Sequence, residues 1–419
     1  MNVGGLKREF IMDKHVEMIV RLSQERVSSL HAINVREARL NLPITRRYIY
    51  LDHAATGPLP KRVTKAVESS TSEKLYGDLF WESWEETAEK TRIAIARLLN
   101  ARTEEIALVP NTSEGLGIVG NGLDYKRGQN IVTSNLEFTS NLFIWQALCR
   151  RYGMELRVVE ASEETLSLDD FQNRIDRRTR IVAVSHVQFS NGFKIDLNKL
   201  CKVAHENGAY VVTDAVQSVG QMPVNVRSLD IDFLACSGYK WLLSPIATGF
   251  LYVKRNLIDR VYPTIVGYRS TDSPEDFSYH AFKPARDARR FEHGQLNFPG
   301  FAGMLGAIKF LRRFGIERIE TRIRKLTDLL AQGINQIPHI RMASSMEPEH
   351  RSGIVKLSCK NPEHLEKRLR RNGIITSVRS RGLRISPHFY NSEQRSSMRI
   401  AKSLIRNLRI LILTRLDCR

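Results

Sequence analysis

The chain has 419 residues, of which 42% are hydrophobic and 26% are charged. This length and composition exclude a disordered protein and allow one large domain plus a smaller one, each with a buried core. A formal net charge of +19 is compatible with a surface for nucleic acid, but no stacking box or low-complexity tail accompanies it. Solvated basic helix faces are therefore the favoured interpretation, and nucleic acid is not an expected partner.

The five cysteines are scattered, without the spacing of a zinc site or a disulfide framework. This pattern indicates a reduced, cytoplasmic protein with no metal site. No apolar run is long enough to cross a bilayer, and no apolar core follows Lys7 and Arg8, so neither a membrane anchor nor a signal peptide is predicted.

Apolar periodicity predicts the elements in chain order. Residues 1–48 are expected to form an N-terminal helical segment, followed by a short strand at 48–51. Residues 49–310 are expected to form a large domain of alternating strands and helices. Several strands are continuously apolar, which favours a mostly parallel seven-stranded sheet covered by helices on both faces. The predicted strands are 106–109, 129–133, 155–159, 180–185, 209–213, 233–236 and 249–253.

Residues 311–419 are predicted to form a smaller C-terminal α/β domain, with the N-terminal segment packing near it. A helix from Gly303 is expected to continue as one long basic helix to about Ile337. The elements predicted after it are a strand at 353–358, a helix at 362–371, strands at 374–378 and 383–386, and a terminal helix from Ser392.

Asp214 ends one apolar strand, and Lys240 lies just past the next apolar run. A pyridoxal-phosphate site needs this pairing. A lysine amine forms a Schiff base with the cofactor aldehyde, while a carboxylate keeps the pyridine nitrogen protonated. Taken singly, Asp214 is also explained as a strand-end cap and Lys240 as a surface lysine. The interpretation as a cofactor site therefore depends on further residues.

Hydroxyl residues supply that support. Thr112 and Ser113 follow the strand at 106–109 and begin a helix, where backbone N–H groups favour a phosphate. Ser237, just before Lys240, is a further donor to the same phosphate. An ordinary helix cap explains the first pair equally well when it is taken alone.

As a set, these residues resemble the class V aminotransferase family of fold-type I pyridoxal-phosphate enzymes, which includes cysteine desulfurases, isopenicillin N epimerase and kynureninase. The resemblance covers about Tyr48 to Asn391 and is strongest from His186 to Val253. The stretches that carry it are 51–58 (LDHAATGP), 111–115 (NTSEG), 135–138 (NLEF), 214–217 (DAVQ), 237–240 (SGYK), 291–294 (FEHG) and 382–386 (GLRIS).

The resemblance implies a role for each matched residue. Lys240 would hold the cofactor and carry the proton at the substrate Cα, Asp214 would pair with the pyridinium nitrogen, and Gln217 would hydrogen-bond the ring hydroxyl. The ligands of the cofactor phosphate would be Thr112, Ser113 and Ser237.

The substrate side of the site is implied in the same way. Arg384 would clamp the substrate α-carboxylate, for which a planar guanidinium is better suited than an ammonium. His53 and Tyr268 would be pocket residues by family position, with a structural role for each equally open.

The chain also departs from the family pattern. Phe138 stands where many relatives place a histidine over the pyridine ring, and it can stack there but cannot carry protons. Tyr239 and Gln295 replace, respectively, a histidine beside the lysine and a threonine that reaches the partner subunit's phosphate. Both can still donate to a phosphate. Gln188 lies in the region of an asparagine near the ring hydroxyl, where we expect it to contact the cofactor.

The largest departure is the segment 377–383. Cysteine desulfurases carry a nucleophilic cysteine there, on a loop before the carboxylate-binding arginine, whereas this segment is short and has no cysteine. The nearest thiol in sequence, Cys359, ends a predicted strand and is expected in the core. A persulfide mechanism is therefore disfavoured. Arg379 and Arg381 are candidates to recognise a second acidic group on the substrate, the alternative being solvated loop arginines.

Together with the resemblance, these observations predict a pyridoxal-phosphate enzyme that acts on an amino acid through a Schiff base of Lys240. The resemblance implies a homodimer with its active site at the subunit interface. Aminotransferase or C–S/β-lyase chemistry is favoured. Cysteine desulfurase or selenocysteine lyase activity and epimerisation are the enzymatic alternatives. A basic RNA- or protein-binding scaffold is the non-enzymatic one, and it is disfavoured because the cofactor residues are present.

Overall fold

The computed structural model describes residues 33–278, 281–335 and 337–393. Nearly all of the helix predicted from Ser392 and most of the helical segment predicted at 1–48 lie outside this part of the chain. Val35–Leu40 is a helix, and Ile49–Tyr50 forms the short strand β1. Among the described residues, no helix combines the length and apolar character that crossing a membrane requires.

A seven-stranded sheet organises the larger part of the fold, with the order β2-β8-β7-β6-β5-β3-β4. Neighbouring strands from β7 to β4 run parallel, and β8 runs antiparallel to both β7 and β2. The predicted mostly parallel sheet is confirmed, and every strand lies within one residue of its predicted range. The strands β2 to β8 are Ile106–Val109, Asn130–Ser134, Glu155–Val159, Thr179–Ser185, Tyr210–Asp214, Phe233–Ser237 and Gly249–Val253.

Helices cover this sheet and complete its apolar core. Leu116 and Trp145, on two of these helices, are buried in one cluster with Val212 of the central strand β6. A Cβ atom at Gly115 would lie only 2.8 Å from the Ala235 Cβ on β7, so a glycine lets its helix approach the sheet closely. The helices of this part are Lys61–Glu73, Trp81–Leu99, Thr112–Gly122, Ser140–Tyr152, Leu168–Arg174 and Leu197–Glu206.

Two helices replace the single long basic helix that the sequence predicted. Phe298–Phe314 and Ile316–Ile334 are separated by Gly315, whose φ of +80° ends the first helix. Its N–H donates to the carbonyls of Leu311 and Arg312, both at 3.1 Å. The prediction of one helix from Gly303 to Ile337 is therefore wrong at this glycine, which is a C-terminal cap.

A four-stranded antiparallel sheet forms the smaller part, in the order β12-β13-β10-β9. The predicted helix Pro362–Arg371 is confirmed. The single strand predicted at 374–378 is wrong, because its first two residues pair with β1 and its last two belong to the antiparallel sheet. The strands β9 to β13 are Arg341–Met342, Val355–Ser358, Ile374–Ile375, Ser377–Arg379 and Gly382–Ile385.

The cap at Gly315 gives a test of this break. Gly315→Ala is expected to lower the free energy of unfolding by about 1–2 kcal/mol, because an alanine Cβ is strained at positive φ. Gly306→Ala is the matched control in the preceding helix, where a Cβ has ordinary contacts at 3.7 Å. It should be neutral or stabilise by up to about 1 kcal/mol. Urea unfolding measures both, and equal effects would contradict the assigned cap.

Candidate active site

The carboxyl ends of three parallel strands bring the predicted residues to one edge of the large sheet. Ser185 ends β5 beside Asp214, which ends β6, and Ser237 ends β7. Lys240 lies in the turn that follows β7. Ligands of open α/β sheets bind at such an edge, outside the carboxyl ends of the strands.

The amine of Lys240 is held in a nearly dry site. The residue is 7% exposed, and its Nζ lies 5.6 Å from the ring centroid of Phe138 and 5.7 Å from that of Tyr239. Burial lowers the pKa of Lys240 to about 8, with the Asp214 carboxylate opposing the shift and Arg384 adding to it. Within the described chain, no hydrogen bond or ion pair engages this amine. A substantial fraction is therefore neutral, and nucleophilic, near physiological pH.

The backbone of Lys240 is fixed by the loop 51–58. Gly57 N–H donates to the Tyr239 carbonyl at 2.8 Å, and a Cβ at Gly57 would lie 2.1 Å from the Lys240 carbonyl oxygen. Only a glycine permits that approach. Gly57 therefore allows the loop 51–58 to pack directly against the turn that contains Lys240.

Asp214 is a buried carboxylate whose side chain has one hydrogen-bond partner among the described residues. It is 3% exposed, and its Oδ1 accepts from the Val216 N–H at 2.9 Å. Burial raises the pKa of Asp214, against the lowering effect of that N–H and of the Lys240 charge. A cationic partner would stabilise the buried carboxylate, as the predicted role at a pyridinium nitrogen requires.

The hydroxyl groups of Thr112, Ser113 and Ser237 lie together at the start of the helix Thr112–Gly122. Thr112 Oγ1 lies 2.9 Å from Ser237 Oγ, which also accepts from the Thr112 N–H at 2.8 Å. Ser113 Oγ donates to Ser140 Oγ at 2.9 Å. Asn111 caps the helix by accepting from the Glu114 N–H at 2.9 Å. Helix N–H groups and three hydroxyls thus form the kind of cradle that an anion occupies.

Glu137, to which the sequence assigned no role, is a buried carboxylate that connects three segments beside this edge. Glu137 accepts from the Ser185 N–H at 2.9 Å, from Gln188 Nε2 at 2.7 Å and from Asn141 Nδ2 at 2.8 Å. Burial raises the pKa of Glu137, which these donors oppose. Glu137 belongs to the family stretch 135–138, but its hydrogen-bond donors lie outside that stretch, at Asn141 and at Ser185 and Gln188.

Gln188 and Gln217 are in different situations. Gln188 Oε1 is buried and has no hydrogen-bond partner in the part of the chain that the structure describes, while its Nε2 donates to Glu137. Both ends of the Gln217 amide are occupied: Nε2 donates to the Ala54 carbonyl at 2.9 Å, and Oε1 accepts from Trp241 Nε1 at 2.8 Å. We therefore propose that Gln188 contacts the ring hydroxyl and that Gln217 anchors the loop 51–58.

Arg384 lies in the site but already has partners. It is 1% exposed. Its guanidinium donates to the Phe189 carbonyl at 2.8 Å, Asp52 Oδ1 at 3.2 Å and Ser377 Oγ at 3.1 Å. Burial lowers the pKa of Arg384 to about 10, and Asp52 opposes the shift. Because the Arg384 Nε has no hydrogen-bond partner within the described ranges, a substrate carboxylate would share this guanidinium with Asp52.

His53 has hydrogen-bond partners at both ring nitrogens. It is fully buried, with Nδ1 2.9 Å from the Ser386 carbonyl oxygen and Nε2 2.5 Å from Tyr390 Oη. Burial lowers the pKa of His53 well below its usual value. With both ring nitrogens occupied, the structural role left open by the sequence is the better supported one.

Phe138, Tyr268 and Gln295 are three predicted site residues with exposed side chains. Phe138 is 41% exposed and meets Phe189 edge to face, with ring centroids 5.2 Å apart. This places it beside the lysine amine, where it can stack on a planar ring. The Tyr268 hydroxyl donates to Gln295 Oε1 at 2.8 Å, so these two predicted residues act as a pair.

Residues 49–407 match the model of the family described as Aminotransferase class-V. The probable cysteine desulfurase of Pyrococcus abyssi (strain GE5 / Orsay) is 31% identical over 405 residues, covering 89% of this chain and 98% of that protein. The cysteine desulfurase of Salmonella agona (strain SL483) is 32% identical over 346 residues, or 78% and 83% of the two chains. The apo structure of cysteine desulfurase from Thermococcus onnurineus NA1 superposes with a TM-score of 0.81 at 29% identity, covering 90% and 98%.

The depressed pKa of Lys240 predicts the pH dependence of cofactor capture. The neutral amine attacks the aldehyde, so the rate for cofactor-free protein should rise with pH through about 8 and then level off. Asp214→Asn removes a charge that raises this pKa, so its midpoint should move to lower pH. Stopped-flow absorbance measures both profiles. A rate still rising near pH ~10, the ordinary range for lysine, would contradict a buried amine.

Proposed function

Because the chain belongs to the aminotransferase class-V family and is a pyridoxal-phosphate-dependent enzyme, we propose that it acts on an amino acid as an aminotransferase or C–S/β-lyase. The observation that carries the proposal is the meeting of the buried Lys240 amine and the buried Asp214 carboxylate at one sheet edge. When bound, the cofactor supplies an electron sink for the bond broken at the substrate Cα.

The side chains at this edge fit that cofactor. The Lys240 amine would hold it, and Asp214 would face its ring nitrogen. The buried oxygen of Gln188, which has no hydrogen-bond partner among the described residues, would accept from its ring hydroxyl. The phosphate would be held at the helix start by the hydroxyls of Thr112, Ser113 and Ser237. Phe138 would cover the ring face.

Lys240 would also move the proton. Its pKa of about 8 lies near neutral pH, so the amine, once displaced by the substrate amine, would take the proton from Cα and return it. Phe138 has no ionisable group and cannot transfer this proton, so we assign the transfer to Lys240. Arg384, sharing its guanidinium with Asp52, would fix the substrate α-carboxylate and thereby the bond presented for cleavage.

The hairpin β12–β13 supports lyase or aminotransferase chemistry over a persulfide route. Ser380 and Arg381 form a two-residue turn with φ of 46° and 60°, which is typical of tight hairpins and offers no loop for a nucleophile. Cys359 instead packs against the apolar core of the small sheet, where burial raises its pKa. A nucleophilic thiolate needs the opposite, a lowered pKa in an electropositive, accessible site.

Cysteine desulfurase activity is the second candidate. The specific observation in its favour is that the Pyrococcus abyssi and Salmonella agona relatives carry that name. It would require a thiol from another part of the chain. Of the five cysteines, Cys418 lies outside the described residues, and the other four are free.

We further propose that the enzyme is a cytoplasmic homodimer with its active site at the subunit interface. Several large apolar side chains are exposed, and contact with a second copy would remove such side chains from water. The most exposed are Leu75, Leu79, Ile246 and Phe277, at 73–84%. The free cysteines support a reducing compartment.

Absorbance spectra test the enzyme proposal. Wild type with pyridoxal phosphate should show a visible band that Lys240→Ala lacks, because only the lysine can attach the cofactor covalently. Lys199→Ala, which changes an exposed lysine, is the control and should keep the band. Particular amino acids should shift it, and product assays then separate keto acid from elimination products. A wild type without a band would overturn the proposal in favour of the basic scaffold.

Cysteine replacement tests the choice between chemistries. Cys359→Ala, Cys418→Ala and the double variant are expected to turn over the identified amino acid at rates within about twofold of wild type, because no thiolate takes part. Removing a true nucleophile costs on the order of 10³-fold or more. A loss of that size in a variant that still shows the cofactor band would establish the desulfurase alternative.

A further inference from the structure

The hairpin β12–β13 holds a second arginine close to Arg384. Across this hairpin, Ser377 pairs with Arg384 and Arg379 pairs with Gly382. The two-residue turn at Ser380 and Arg381 fixes this register. Arg379 therefore extends from a paired strand with a defined position, and the description of it as a loop arginine is corrected.

Arg379 lies on the sheet face that carries Arg384. Residues directly opposite in an antiparallel pair share a face, as do residues two apart on one strand. Ser377 Oγ lies 3.1 Å from Arg384 Nη2, which identifies the shared face. Arg379, two residues along from Ser377, is a diagonal neighbour of Arg384. Diagonal positions are about 7–8 Å apart, which is within reach of long side chains.

The charge of Arg379 is not compensated by the described residues. On the same face, Arg384 pairs with Asp52 and Lys356 pairs with Glu164. Arg379 is exposed and donates to the adjacent Val378 carbonyl at 2.7 Å, but none of the described carboxylates forms an ion pair with it. Its charge nevertheless reaches the site, because it contributes to lowering the pKa of both Lys240 and Arg384.

We propose that Arg379 binds a negatively charged group on the substrate side chain and that the substrate is an acidic amino acid. This inference rests on the proposed function and names its substrate class. Arg384 takes the α-carboxylate, and the exposed guanidinium of Arg379 forms a bidentate pair with the distal carboxylate or with an acid group of similar shape. The hairpin thus provides specificity at the position where desulfurases place their nucleophile.

Matched ligand pairs test the assignment on the holoenzyme. The cofactor band is titrated with aspartate against asparagine and with glutamate against glutamine, in wild type, Arg379→Gln and Arg381→Gln. Wild type should bind the acid at least about tenfold tighter than the amide, as expected for one charge-assisted pair. Arg379→Gln should remove that preference and leave amide binding within about twofold. Arg381→Gln, which changes the neighbouring exposed arginine in the turn, should behave as wild type.

The outcomes separate this inference from the proposed function. Equal weakening of acid and amide by Arg379→Gln, or no acid preference in wild type, would overturn the inference while amino-acid chemistry stands. A band that no amino acid shifts would sink the proposed function. In that case calorimetry with succinate against propionate still decides the matter, because dicarboxylate binding needs no amine. A succinate preference lost in Arg379→Gln supports the assignment, and its absence from wild type overturns it.

Discussion

The burial of one amine beside one carboxylate is the constraint on which the site depends. Lys240 and Asp214 are both buried. The charge of Lys240 lowers the pKa of Asp214, and the charge of Asp214 raises the pKa of Lys240. Burying two such charges costs desolvation free energy, which their attraction offsets only when the surrounding structure holds them in a favourable geometry. The fold provides that support by ending β6 and β7 at one edge and by seating Gly57 against the lysine turn. The rest of the site is arranged around this pair.

Much of this architecture is encoded locally and was therefore predictable. The seven strands are short continuous apolar runs bounded by turns, and such runs are typical of a buried parallel sheet. Asp214 and Lys240 are identified by their position at the ends of two such runs. The residues that begin the helix Thr112–Gly122 are identified by the strand-to-helix change in the pattern. In each case the informative residue lies within a few positions of the apolar run that identifies it.

The features that sequence reasoning missed depend on partners far away in the chain. Arg384 pairs with Asp52, which is more than three hundred positions earlier, and nothing local indicates that its guanidinium is already occupied. The engaged amide of Gln217 and the donors around Glu137 depend on tertiary contacts in the same way. The strand predicted at 374–378 is continuous by propensity, but its division follows from two different pairing partners. Strand propensity does not specify a partner.

The turn at Ser380 and Arg381 has a consequence for how related enzymes can diverge. It is the shortest connection that joins two hairpin strands, its residues are exposed, and both flanking strands are paired without it. Surface connections of this kind accept added length at small thermodynamic cost, because closure entropy grows slowly with loop size. The fold can therefore exchange a rigid, charge-bearing hairpin for a longer segment without altering any strand. In evolutionary terms, the chemistry proposed for this chain would differ from a cysteine-based one by a few inserted or deleted residues at one surface turn.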